Sequence, residues 1–98
     1  MNILIPCDTN DYEESKIVQL SEAKQFILIE FEKGKIQKHI FYNSYEEVKE
    51  FIEILIVKNE NENVLKYQEY GVLILVSTIQ IYIEDVMEAF LFKELHDF

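Results

Sequence analysis

Short unbroken runs of apolar residues set the frame of this chain. Residues 2–7, NILIPC, with Ile3, Leu4 and Ile5 unbroken, and residues 71–76, GVLILV, both carry consecutive apolar positions. A strand that is apolar on both faces sits inside a sheet with layers on each side, often beside a parallel neighbour. These two runs are therefore expected at the heart of a sheet, parallel and adjacent. Residues 25–32, QFILIEFE, and 35–42, KIQKHIFY, read as two more strands. Only Lys33 and Gly34 lie between them, which predicts an antiparallel hairpin closed by a type I turn with Gly34 in the left-handed region.

A different period takes over after Asn43. Ser44 and Glu47 fit a capping box, and Val48, Phe51, Ile52 and Leu55 recur at helical spacing, so a helix is expected over 45–58. Residues 59–64 form a polar loop containing NENEN, and 64–69 add a short helical turn before Gly71, a suitable helix terminator. Ser77 with Gln80 is a second capping box. It predicts a last helix whose buried stripe is Ile79, Ile83, Val86, Met87 and Phe90. The tail LFKEL, residues 91–95, reads as a short edge strand or a continuation of that helix. Residues 12–24 have no clear period and read as a long loop with room for one helical turn. The resulting class is α/β: one domain over 1–98, a five-stranded mixed sheet with an antiparallel hairpin, and helices packed on it.

Composition narrows the partners more than the fold. The 98 residues carry 19 acidic and 9 basic side chains, a net charge of −10. Phosphate backbones and anionic lipid surfaces need clustered Lys and Arg, so no nucleic acid and no membrane are expected as partners. The acidic balance reads first as solubility by self-repulsion, and second as an acidic docking face. One cysteine excludes an intrachain disulfide and fits a reducing compartment. The opening MNILIPCDTND has no basic segment followed by a long apolar one, and no apolar run approaches a membrane span. A cytoplasmic location is the expectation.

The expected topology also marks a place for a site. The hairpin leads from the first strand toward one edge of the sheet, and the following helix returns the chain to the other side. Ligands of open α/β sheets bind beyond the carboxyl ends of the strands at such a divergence. That puts Cys7, Asp8 and Thr9 after the first strand near Ser77 and Thr78 after the 71–76 strand, under the loop 10–23. For Cys7 the alternatives are a thiolate ligand or nucleophile and a packed core thiol. Asp8 and Asp11 would raise its pKa, and nothing in the sequence places His39 or His96 beside it. Asp8, Asp11, Glu13 and Glu14 could face a hard cation, but their spacing is no calcium loop, and they read as a solvated acidic loop. Ser77 has no base in view, and the capping box accounts for it. His39 alternates with apolar neighbours on its strand and reads as a packed or half-exposed residue. With only Gly34 and Gly71, a glycine-rich phosphate cradle is excluded, and no Walker, dinucleotide, Cys-x-x-Cys or His-Glu-x-x-His motif is present.

The opening ILIPCD, the segment SEAKQFILIEFEKGKI and the ending YGVLILVSTIQ, in this order of elements, resemble the dinitrogenase iron–molybdenum cofactor-binding family. These are small proteins similar to NifX and to the C-terminal part of NifB. The resemblance implies a ribonuclease H-like fold and a non-enzymatic protein that binds or carries an iron–sulfur or iron–molybdenum type cluster. Where that family has His-Phe-Gly-Arg-Ala, this chain has Gln19, Leu20, Ser21, Glu22 and Ala23. Where it has Gly-Gly-Ile-Gly, this chain has Ser77, Thr78, Ile79 and Gln80. The cofactor-binding positions so implied are Cys7, Asp8, Thr9, Gln19, Ser77 and Thr78, with Cys7 the metal ligand. The alternative is a cofactor-free protein-interaction module of the same fold, working as a homodimer or with a partner protein.

Overall fold

The computed structural model describes residues 1–98. Both unbroken apolar runs become interior strands, but they are not neighbours. The strands are β1 (Asn2–Cys7), β2 (Gln25–Glu32), β3 (Lys35–Tyr42), β4 (Ile54–Val57), β5 (Leu73–Val76) and β6 (His96–Asp97). They form one mixed sheet in the order β3-β2-β1-β4-β5-β6. β4 runs parallel to β1 on one side and to β5 on the other. β2 is antiparallel to both β1 and β3. The expected five strands are therefore six, and β4 stands where β1 and the 71–76 strand were expected to meet.

The error lies in the helix expected over 45–58. Only Tyr45–Glu47 turns, as a single 3-10 turn, before the chain extends into β4. The start signal is real: the Glu47 carboxylate accepts from the backbone N–H of Asn43 at 2.7 Å and of Ser44 at 3.3 Å. What fails is propagation. A helix on a sheet buries one face, whereas all four residues of Ile54–Val57 are buried. Three of the four are β-branched, which suits a pleated strand covered on both sides. Phe51, a member of the supposed helical stripe, is left 68% exposed.

The hairpin between β2 and β3 forms as expected, with a different turn. Both Lys33 (φ 55°) and Gly34 (φ 78°) take positive φ, the requirement of a type I′ turn, whose twist matches the flanking strands. The register shifts by one residue between Glu30 and Phe31.

Each sheet face carries one short helix. On one face α1 (Leu65–Glu69) covers Leu4, Leu28, Leu55, Val57, Ile74 and Val76. It ends as anticipated at Gly71 (φ 80°), where Val72 N–H donates to Tyr67 O and Gly71 N–H to Gln68 O, a Schellman closure. On the other face α2 (Ile83–Leu91) sends Val86 and Met87 onto Ile3, Ile5, Ile27, Ile29 and Ile56. α2 starts later than its capping box predicts. The backbone around its start is already committed to the long loop: Ile17 N–H donates to Ile81 O at 2.9 Å and Ile83 N–H to Ser15 O at 3.0 Å. Ile79, expected in the buried stripe, is 82% exposed, while Ile83, Val86 and Met87 are buried. The chain then reverses through Lys93 (φ 59°), so the tail strand is His96–Asp97, not residues 91–95. The long loop contributes one 3-10 turn, Leu20–Glu22. No helix is long and apolar enough to cross a membrane.

Candidate functional site

β1, β3, β4 and β5 all point the same way, because β3 and β1 are each antiparallel to β2 and β4 and β5 follow β1. Their carboxyl ends therefore open at one rim of the sheet. The divergence expected at β1 exists there, with β2 on one side and β4 on the other. The loops of this rim fall into two groups, one over each face.

Cys7, Asp8 and Thr9 belong to the α2 face. Cys7 is 0% exposed and packs with Ile5, Ile17 and Ile83. Its Sγ donates to Thr9 O at 3.6 Å, and burial, with Asp8 adding to it, pushes the thiol above its ordinary pKa. Asp8 bonds its own loop: its carboxylate accepts from Lys16 N–H at 2.8 Å. The exposed Thr9 offers its carbonyl to Ser15 Oγ at 3.0 Å as well. The loop 8–17 is thus a self-satisfied strap over the core; the sequence marked Asp8 and Thr9 in it but not their partners Lys16 and Ser15. Ser77 and Thr78 lie after β5, with β4 between them and β1. Ser77 is buried, its N–H donates to Val57 O at 2.8 Å, and its hydroxyl donates to the Gln80 side chain. The capping-box pair therefore holds a loop and not a helix end. The structure keeps Cys7, Asp8 and Thr9 together and sets Ser77 with Thr78 apart from them.

Gln19 lies in the other group. It lines a cavity of about 910 Å³ on the α1 face of the rim. The walls are Gln19–Ser21 and Ala23 after β1, Asn43–Glu46 after β3, Asn61–Asn63 after β4, and α1. Glu62 holds these loops together. One carboxylate oxygen accepts from Leu20 N–H at 2.7 Å, the other from Lys58 N–H at 2.9 Å and Asn59 N–H at 2.8 Å. Backbone amides at this rim could have faced an anionic ligand; here an internal carboxylate already engages three of them. Beside the clasp, Tyr45 and Tyr67 meet edge to face at 4.8 Å. The Lys66 ammonium lies 5.0 Å from the Tyr45 ring and 5.2 Å from the Tyr67 ring. Burial, followed by the charges of Tyr45 and Glu46, pushes the Tyr67 phenol up to about 12.

Of this cavity the sequence singled out Gln19 alone. Glu62, Tyr45, Tyr67 and Lys66 carried a weak signal, since NENEN read only as a polar loop. Placing that loop on the rim requires knowing that a strand ends at Val57.

The donor chemistry bears on the implied cluster. No group of three or more His, Cys, Asp or Glu side chains is placed to hold a metal ion. The cavity walls offer amides, hydroxyls, carboxylates and one ammonium, with neither thiol nor imidazole. The one thiol packs into the core of the opposite face. Iron–sulfur clusters are held chiefly by thiolates, so the residues present do not fit such a group.

No family model and no curated protein matches the chain. Solved structures do match it. A protein of Methanocaldococcus jannaschii provisionally named a dinitrogenase superposes with a TM-score of 0.80 at 20% identity, over 100% of this chain and 94% of that one. PH0822 gives 0.77 at 14% identity over 100% and 96%. A Thermotoga protein provisionally named a NifB protein of the DUF35 family gives 0.72 at 18% identity over 98% and 91%. The shared property is the fold over essentially the whole chain.

Proposed function

We propose that the chain is a small non-enzymatic binding protein of the fold used by these dinitrogenase- and NifB-named proteins, and that it works as a cofactor-free interaction module. Its working site is the rim cavity on the α1 face. The strand order 3-2-1-4-5 with β2 antiparallel supports the ribonuclease H-like relation. The observation that carries the reading is the donor set: the cavity beside the β1 loop is walled by amides, carboxylates and tyrosines, and Cys7 is turned away from it. A protein partner or a second copy of the chain is the expected binding class. The second reading, a metallocluster-handling protein, is favoured by the names of two of the solved neighbours.

Anaerobic reconstitution with iron and sulfide separates the two. The module predicts a colourless protein with iron well below one atom per chain. A visible cluster spectrum with stoichiometric iron overturns it in favour of the second reading. If that colour survives Cys7→Ser, the thiol is no ligand.

A further inference from the structure

We infer that the rim cavity is a binding site for an organic ammonium group, a free polyamine or the lysine side chain of a partner, seated on the Tyr45 and Tyr67 rings. The inference rests on the reading of this cavity as the working site and names what it takes. Three observations converge. The charged side chains of the wall are Glu46, Glu62 and Glu69 against Lys66, in a chain of net charge −10, so the local and overall fields both favour a cation. Glu62 already takes up the backbone N–H groups of Leu20, Lys58 and Asn59, which removes those anion-receiving donors. The two rings meet at 79°, and an ammonium, that of Lys66, already lies over both within the range of cation–π attraction.

Lys66 is itself exposed, on the short helix α1, and makes no salt bridge. It acts as an internal placeholder that an incoming ammonium displaces. Asn61 lines the cavity and supplies a carbonyl acceptor for an N–H of that ammonium, while the carbonyls of Asn43 and Asn63 already accept from Gln25 Nε2 at 2.8 Å and Leu65 N–H at 3.3 Å and keep one lone pair each.

The test is a backbone-amide NMR titration of the full chain at about 0.15 M salt, which shortens the Debye length to about 8 Å and suppresses diffuse attraction to the acidic surface. The probes are spermidine, a trilysine peptide and, as the anionic control, pyrophosphate. Saturable shifts confined to 19–23, 43–46 and 61–69 are expected with the two cations. Tighter binding of trilysine assigns a protein source, and tighter binding of spermidine a free polyamine. Lys66→Gln should bind more tightly, because the placeholder is gone. Tyr45→Phe should keep the affinity, while Tyr45→Leu should lose about two- to five-fold, the range set by one exposed cation–π contact. Diffuse shifts over the acidic surface that ignore Tyr45→Leu overturn the inference, as does pyrophosphate binding in the cavity. A colourless reconstituted protein that binds neither cation overturns this inference alone, whereas a coloured one overturns the proposed function beneath it.

Discussion

Glu62→Ala removes the one side chain that ties the loop after β1 to the loop after β4. The carboxylate accepts three N–H groups, from Leu20 at 2.7 Å, Asn59 at 2.8 Å and Lys58 at 2.9 Å. A hydrogen bond to a charged group contributes about 1.5–3 kcal/mol. The site is only half-buried, so water replaces part of what is lost, and the three bonds share one side chain and do not add. About 2–4 kcal/mol is the expected loss for alanine. A domain of this size has about 5–15 kcal/mol in total, so the change is large. At about 4–8 °C per kcal/mol, Tm should fall by roughly 8–32 °C. Glu62→Gln should cost less, about 1–2 kcal/mol, because its carbonyl still serves the Lys58 and Asn59 amides while its NH₂ faces the Leu20 donor. Glu60→Ala removes the same charge from an exposed neighbour in the same loop and controls for the relief of self-repulsion. Urea unfolding followed by circular dichroism gives the three stabilities, and hydrogen exchange at Leu20, Lys58 and Asn59 gives the local effect. If Glu62→Ala lies within about 0.5 kcal/mol of Glu60→Ala, the carboxylate is effectively solvated and the clasp is not a structural element.

Two further predictions test the fold and its titration. Ile56→Ala should cost about 2–5 kcal/mol in urea unfolding, as for any fully buried core residue, and Phe51→Ala under about 1 kcal/mol; a helix over 45–58 would give comparable losses at both. The Tyr67 phenol is raised from 10.0 to about 12 in the folded protein, so its contribution is intact below about pH 10 and is lost as pH rises toward 12. It amounts to at most about 3 kcal/mol. Cys7, Tyr12, Tyr42 and Tyr45 are raised too and act in the same direction, so the comparison is with Tyr67→Phe. That variant should show a shallower loss of stability between pH 10 and 12 and lack the latest-ionising component of the tyrosine absorbance titration. Unchanged curves would remove burial as the cause.

The edges of legibility follow from which groups satisfy one another locally. Strands β1, β2 and β3 were readable to their ends, since each is a continuous or alternating apolar pattern bounded by polar residues. Gly71 and the turn of α1 were readable because their hydrogen bonds lie within a few residues. The capping signals at Ser44 and Ser77 were also local and were read as helix starts, but Ser44 opens a single 3-10 turn and Ser77 holds a loop, so neither starts a long helix. At Ser44 the following Ile54–Val57 run gains more by filling the slot between β1 and β5 than by lying on a surface. At Ser77 the backbone of Ile81 and Ile83 is taken by Ile17 and Ser15 from the other end of the chain. Neither competitor is visible within a local window.

The same division explains the site. Sequence alone determined that Cys7 closes the first strand and that the chain is strongly acidic with no glycine-rich cradle; it expected the ends of β1 and β5 at one rim on an adjacency that the structure replaces with β4. Only the tertiary structure decided which face each rim residue serves. Alternation along β1 sends Cys7 to the α2 face, into the isoleucine core, while the insertion of β4 brings NENEN beside Gln19 and the two tyrosines on the α1 face. Face and adjacency depend on a strand order fixed by burial over the whole sheet, and no single stretch of the chain contains that information.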